Sequence, residues 1–221
     1  MMTHYVHTYV INRSLFISIF LLLFTACKER TITKEHYYEN YTFGSSNPTS
    51  YLATKTIDKG NRRKQITYRY SDFAKEITKK EIDYFILTKN CMFVPKKADG
   101  TKSLYLSTKY VDSCIVWIPP VEPNDYFIDN SFAAKTHCFI GEKKIKLGEN
   151  NYIETYEFYY KIGLAEDAPL HRIFYDKSFI LVRMENVSGY TYFDSLIRIN
   201  SIPLEFELLL NKEQEWTGLP N

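Results

Sequence analysis

The sequence predicts a mainly β protein, an antiparallel meander folded into a sandwich or a partly open barrel, with one or two short helices. Three observations carry that expectation. Segments such as Ile66-Thr67-Tyr68-Arg69-Tyr70, Leu104-Tyr105-Leu106-Ser107-Thr108 and Tyr156-Glu157-Phe158-Tyr159-Tyr160 alternate with the period of a strand that buries one face. The runs Cys114–Ile118 and Phe179–Val182 are apolar on both faces, the pattern of central strands. Asp99-Gly100 and Tyr175-Asp176-Lys177-Ser178 supply turn chemistry between apolar runs, which suits antiparallel neighbours.

In chain order, strands are expected near 51–58, at Ile66–Tyr70, near 82–88, at Cys91–Val94, at Leu104–Thr108 and at Cys114–Ile118. Others follow near 136–147, at Tyr156–Tyr160, around Ile173, from Phe179 and near 190–200. Asp72 is placed to cap a short helix through Lys79, with Phe73 and Ile77 on one face. Pro203 is placed to open a second helix through Leu204–Leu210, although Leu204, Phe206, Leu208 and Leu210 also alternate as in a strand.

The chain has 221 residues, 45% of them hydrophobic and 24% charged, which fits neither a disordered tail nor a polytopic membrane protein. A formal charge of +2, with acidic and basic residues interspersed, offers no nucleic-acid footprint. The 19 tyrosines and 15 phenylalanines suit half-buried pleated surfaces, and flat rings also stack on sugars or line barrel cavities.

The apolar stretch Leu15–Phe24 follows Arg13 and precedes the small pair Thr25-Ala26, as in a secretory signal. It is shorter than the ~20 residues a spanning helix needs. Phe24-Thr25-Ala26-Cys27 resembles the lipobox of bacterial lipoproteins, with Phe24 where the family most often has Leu. The resemblance implies cleavage before Cys27 and a diacylglycerol on its sulfur, so that the protein stays on a membrane. Lys28, where an inner-membrane retention signal would have Asp, points to the outer membrane and leaves the leaflet open. Lys28-Glu29 also resembles surface-export signals of some bacterial lipoproteins. The expected organisation is a signal peptide over 1–26, a lipidated cysteine and flexible tether over 27–48, and a single β-rich domain over 49–221, with Tyr37, Tyr38 and Tyr41 outside the core.

Cys91, Cys114 and Cys138 lack CxxC spacing, which argues against zinc or thioredoxin-type chemistry, and in an exported chain any two of them can form a disulfide. His137 adjoins Cys138, but neighbours on a strand point to opposite faces and cannot act as a dyad. The segment Gly163–His171 gathers Glu166, Asp167 and His171, a candidate ligand or metal site that reads more simply as a solvated acidic turn between two strands, with His171 at the start of the next. Arg62-Arg63-Lys64 and Lys143-Lys144 read as solvated faces that could also meet acidic lipid or polysaccharide. Pro119–Pro123 reads as a strand-ending loop, while Asn186-Val187-Ser188 and Asp194-Ser195-Leu196 resemble short glycosylation motifs.

No nucleophile elbow, HExxH, Walker loop or dinucleotide fingerprint occurs, and no cofactor is called for. The expected function is a lipid-anchored, non-catalytic binding or interaction module in the cell envelope, meeting a protein, glycan or lipid. Three alternatives remain open: a carrier of an apolar ligand in a curved sheet, an envelope immunity or inhibitor protein, and a hydrolase built on Glu166, Asp167 and His171.

Overall fold

Strands that alternate buried and exposed residues must pair to satisfy their backbone, and here they pair into one continuous sheet. The computed structural model describes residues 30–42, 45–95, 101–118, 134–147, 151–162, 170–187 and 195–218. The chain divides into Met1–Thr31 and a compact body, Ile32–Asn221; of the first unit only Arg30 and Thr31 are described. The body holds strands β1 (Thr31–Tyr41), β2 (Ser50–Lys59), β3 (Arg62–Ser71), β4 (Glu76–Leu87), β5 (Cys91–Pro95) and β6 (Lys102–Ser107). After them come β7 (Cys114–Trp117), β8 (Lys135–Lys146), β9 (Tyr152–Ile162), β10 (Leu170–Asp176), β11 (Leu181–Asn186) and β12 (Ser195–Ile199). Two short helices, α1 (Leu204–Leu210) and α2 (Gln214–Thr217), end the described chain.

The 12-stranded sheet runs β6-β5-β4-β3-β2-β1-β12-β11-β10-β9-β8-β7. Two meanders are therefore joined where β1 pairs antiparallel with β12, Tyr37 opposite Ile199 and Tyr41 opposite Ser195. The terminal strands, β6 and β7, meet through side chains, with the Tyr105 ring edge-on to Trp117 at 5.5 Å. The result is a nearly closed antiparallel barrel, as the sequence predicted.

Several local expectations are corrected. The stretch read as a tether enters the sheet at Thr31, so the folded body begins well before residue 49. TITKEHYYENY looks polar, yet Tyr38 and Asn40 turn inward and hydrogen-bond there. The Tyr38 hydroxyl donates to the Leu181 carbonyl at 2.8 Å, and Asn40 Nδ2 donates to Ser50 Oγ at 2.8 Å. Asp72–Lys79 is a turn followed by strand rather than a helix. Lys75, at φ 55°, reverses the chain, after which Ile77 pairs opposite Tyr70. Cys114–Trp117 is a terminal strand instead of a central one, and among the described residues nothing covers Val116, which is 51% exposed on its outer face.

The helices cover the outer face of β2 to β4. Ile66, Tyr68 and Tyr70 are buried beneath them, with Phe206 stacked on Tyr70 at 5.0 Å and Trp216 edge-on to Tyr68 at 6.0 Å. Helical spacing decides the ambiguous segment: Phe206 and Leu210, one turn apart, are buried while Leu204 and Leu208 stay exposed. A second cluster, Met92, Leu106, Phe139, Phe158 and Phe179, fills part of the barrel.

β7 is secured by β8 and by a disulfide between Cys114 and Cys138, which lie opposite each other. The bond spans a sequence separation of 24, so losing it frees a loop whose closure is worth about 3 kcal/mol in the unfolded chain. Cys114→Ser/Cys138→Ser is accordingly expected to lower the urea-unfolding free energy by about that amount. A loss below about 0.5 kcal/mol would show that the edge strand needs no cross-link.

Candidate functional site

The inward face of the barrel carries several polar side chains, and one set of them is an ion pair. Asp58 and Arg63 face each other across the β2–β3 hairpin. Arg63 is 1% exposed; its Nε and Nη2 donate to the two Asp58 oxygens at 2.7 and 2.9 Å. Its Nη1 donates to the carbonyls of Ser178 at 2.9 Å and Phe179 at 3.3 Å. The triplet read as a solvated face therefore splits by strand alternation, with Arg62 exposed and Arg63 buried.

The guanidinium holds the β10–β11 turn inside the barrel. Asp176 Oδ1 accepts the amides of Ser178 at 2.9 Å and Ile180 at 3.0 Å, and Phe179 takes φ 56°, in the left-handed region that a ring-bearing residue seldom adopts. Phe179 is thereby aimed into the interior cluster. Arg198 approaches Asp176 at 3.7 Å and also donates to the Leu181 carbonyl, tying β12 to the same turn.

Beyond Phe179 lies a cavity of about 210 Å³. Phe85, Tyr105, Trp117 and Tyr175 supply aromatic walls, while Gln65, Asp83 and Lys135 supply polar ones. Lys135 Nζ sits 5.6 Å from the centre of the Trp117 ring. Much of Asp83 is open to solvent, yet its carboxyl is partly desolvated. That burial, helped by the neighbouring Glu81 charge and opposed by Lys135, raises its pKa above the usual carboxylate value. Burial also pushes the Tyr105 phenol well above its ordinary pKa.

Behind Tyr105, His137 is 1% exposed and packed between the rings of Tyr105 and Tyr160, each 4.7 Å away. Among the described residues neither of its ring nitrogens has a hydrogen-bond partner. Burial, then the charge of Lys135, lowers its pKa to about 3; burial, then Arg198, lowers that of His36 to about 4. Both are neutral in the folded protein and gain protons near pH 6.5 when it unfolds. Stability is thus full above that pH, and His137 removes up to about 1.4 kcal/mol per pH unit below it until its folded pKa is reached, with His36, only half buried, adding a smaller loss of the same sign. Urea titrations at pH 6.5 and 5.5 are expected to differ by at least about 1 kcal/mol, and His137→Phe should flatten the slope. An unchanged slope in that variant would mean that His137 is not held neutral.

Among the residues singled out from sequence, Cys91 is a buried free thiol whose sulfur lies 3.6 Å from Ser107 Oγ. Cys138 points away from His137 into the disulfide, so the pair forms no dyad. His171 lies at the start of β10, as the simpler reading expects, buried opposite Tyr160 with ring centres 5.9 Å apart. Glu166 and Asp167 lie outside the described residues, as do Cys27, Asp99-Gly100, Pro119–Pro123, Ser188 and Asp194. Among the described residues no three His, Cys, Asp or Glu side chains are grouped to hold a metal. Sequence reasoning missed Asp58, Arg63, Asp83 and Lys135. The signal for the first two was Gly60 midway between them, which makes them cross-strand partners once the hairpin is drawn.

The outer wall of β9 to β11 is ionic: Arg172 is paired with Glu157, reaches Glu185 at 3.8 Å, and Arg183 meets Glu185 at 2.8 Å. A wall facing lipid tails would be apolar there. No helix among the described residues is long and apolar enough to cross a membrane. Compared with known proteins, the chain matches no family model, no curated protein and no solved structure.

Proposed function

We propose that the protein is a lipid-anchored envelope barrel that binds a small molecule in its lumen without chemical conversion. The observation that carries this reading is the cavity beside Trp117, where aromatic walls face Lys135, Asp83 and Gln65. Such mixed walls suit a compact ligand with a flat or apolar body and a polar group. A volume of about 210 Å³ lies below the ~300–1,000 Å³ typical of drug-sized pockets, which favours a small molecule over a diacyl lipid. The anchor rests on the lipobox-like Phe24–Cys27, and the ionic outer wall supports a body that stands in water.

Native mass spectrometry of protein purified from envelopes tests the binding role. The wild type is expected to carry a small adduct that Trp117→Ala and Lys135→Glu lose. An adduct retained by both variants, or none in the wild type at any step of purification, overturns it.

A further inference from the structure

β1 starts at one end of the barrel, and because the strands alternate in direction, the Gly60-Asn61, Thr88–Asn90, Thr108–Ser113 and Lys177–Ile180 connections lie at that same end. It carries large apolar side chains that no described residue covers: Tyr110 is 73% exposed, Val111 58%, Tyr152 62% and Ile32 47%. Around them stand the exposed cations Lys59, Arg62, Lys89, Lys109 and Lys177, of which Lys177 also pairs with Glu142 at 2.6 Å. Asp112 is the one exposed carboxylate in the described parts of those turns.

Rings and aliphatic groups set among lysines match the boundary between anionic headgroups and acyl chains, where amphipathic rings settle and cations meet lipid phosphate. The chain leads to the same place. Cys27 precedes Thr31 by four residues, at most about 14 Å of extended chain, so an acyl group on Cys27 keeps this end close to the bilayer. We infer that the end of the barrel bearing Tyr110, Val111, Tyr152 and Ile32 is a docking surface for an anionic lipid bilayer, and that the opposite end faces away from it. The inference rests on the anchor proposed above for its tethering distance, while the apolar and basic residues belong to the barrel itself.

Two exposed rings make the test without disturbing the fold. Tyr110→Trp places a reporter on the docking end, and Phe73→Trp, at the β3–β4 turn where Phe73 is 98% exposed, places one at the far end. Trp117 and Trp216 contribute equally to both variants. Each full-length variant, processed in a bacterial host, is mixed with phosphatidylcholine and phosphatidylglycerol vesicles whose acyl chains are brominated, and its acylation is read by mass spectrometry. Acylated Y110W quenched at least about twice as strongly as F73W supports the inference. Equal quenching, or stronger quenching of F73W, overturns it and leaves the anchor standing if the chain is acylated. An unacylated chain with the same preference for Y110W supports the docking surface and removes the anchor, and an unacylated chain with neither variant quenched removes both.

Discussion

Arg63→Ala is expected to cost about 3–5 kcal/mol of folding free energy, the range for breaking a buried ion pair by deleting one partner. The guanidinium makes four hydrogen bonds: two to Asp58 and two to the carbonyls that hold the β10–β11 turn inside the barrel. Its removal leaves the Asp58 carboxylate, only 19% exposed, without its cation, and leaves two carbonyls without donors. Adding Asp58→Asn to the alanine variant should recover part of the loss, with a coupling of at least about 1 kcal/mol between the sites. Urea unfolding followed by tryptophan fluorescence reads both effects. A cost below about 1 kcal/mol for R63A would falsify the view that this side chain secures the turn.

Phe179→Ala is expected to cost a similar 3–5 kcal/mol, since it deletes a buried ring from the interior cluster and leaves a void that the sheet fills poorly. Glycine at the same position gives a sharper test. Alanine inherits the left-handed backbone of Phe179, φ 56°, whereas glycine adopts it without steric penalty. Phe179→Gly should therefore be at least as stable as Phe179→Ala, the reverse of the order usual inside a strand, where glycine loses about 0.5–1 kcal/mol. Both variants should also enlarge the cavity beside Phe179. If the alanine variant is clearly the more stable, the turn has relaxed into another backbone conformation.

The antiparallel meander was legible because aromatic and β-branched residues alternate in strands such as Ile66–Tyr70 and Tyr156–Tyr160, and that period does not depend on what covers them. The strand at Thr31–Tyr41 was not legible, because alternation is read by contrast between apolar and polar residues. In a lumen that accepts Asn40 and Arg63 that contrast fails. The helix proposed over Asp72–Lys79 rested on two apolar positions four apart. Pairing of β4 along β3 outweighed that local pattern. Cys114–Ile118 misled in the opposite direction, since apolar residues on both faces occur at a terminal strand whose outer face is open. Of the candidate site, His171 and the three cysteines were visible as residue types. Asp83, Lys135 and Trp117 converge only through closure of the sheet, which no local window of sequence encodes.

The ring contact between Tyr105 and Trp117 has a kinetic corollary. Every other neighbouring pair of strands in the barrel is stitched by backbone bonds, whereas this junction is latched by two aromatic side chains. Thermal breathing of the wall should begin there, and hydrogen–deuterium exchange should be fastest for those amides of β6 and β7 that face each other. Such an opening would present raw strand edges to any molecule waiting outside.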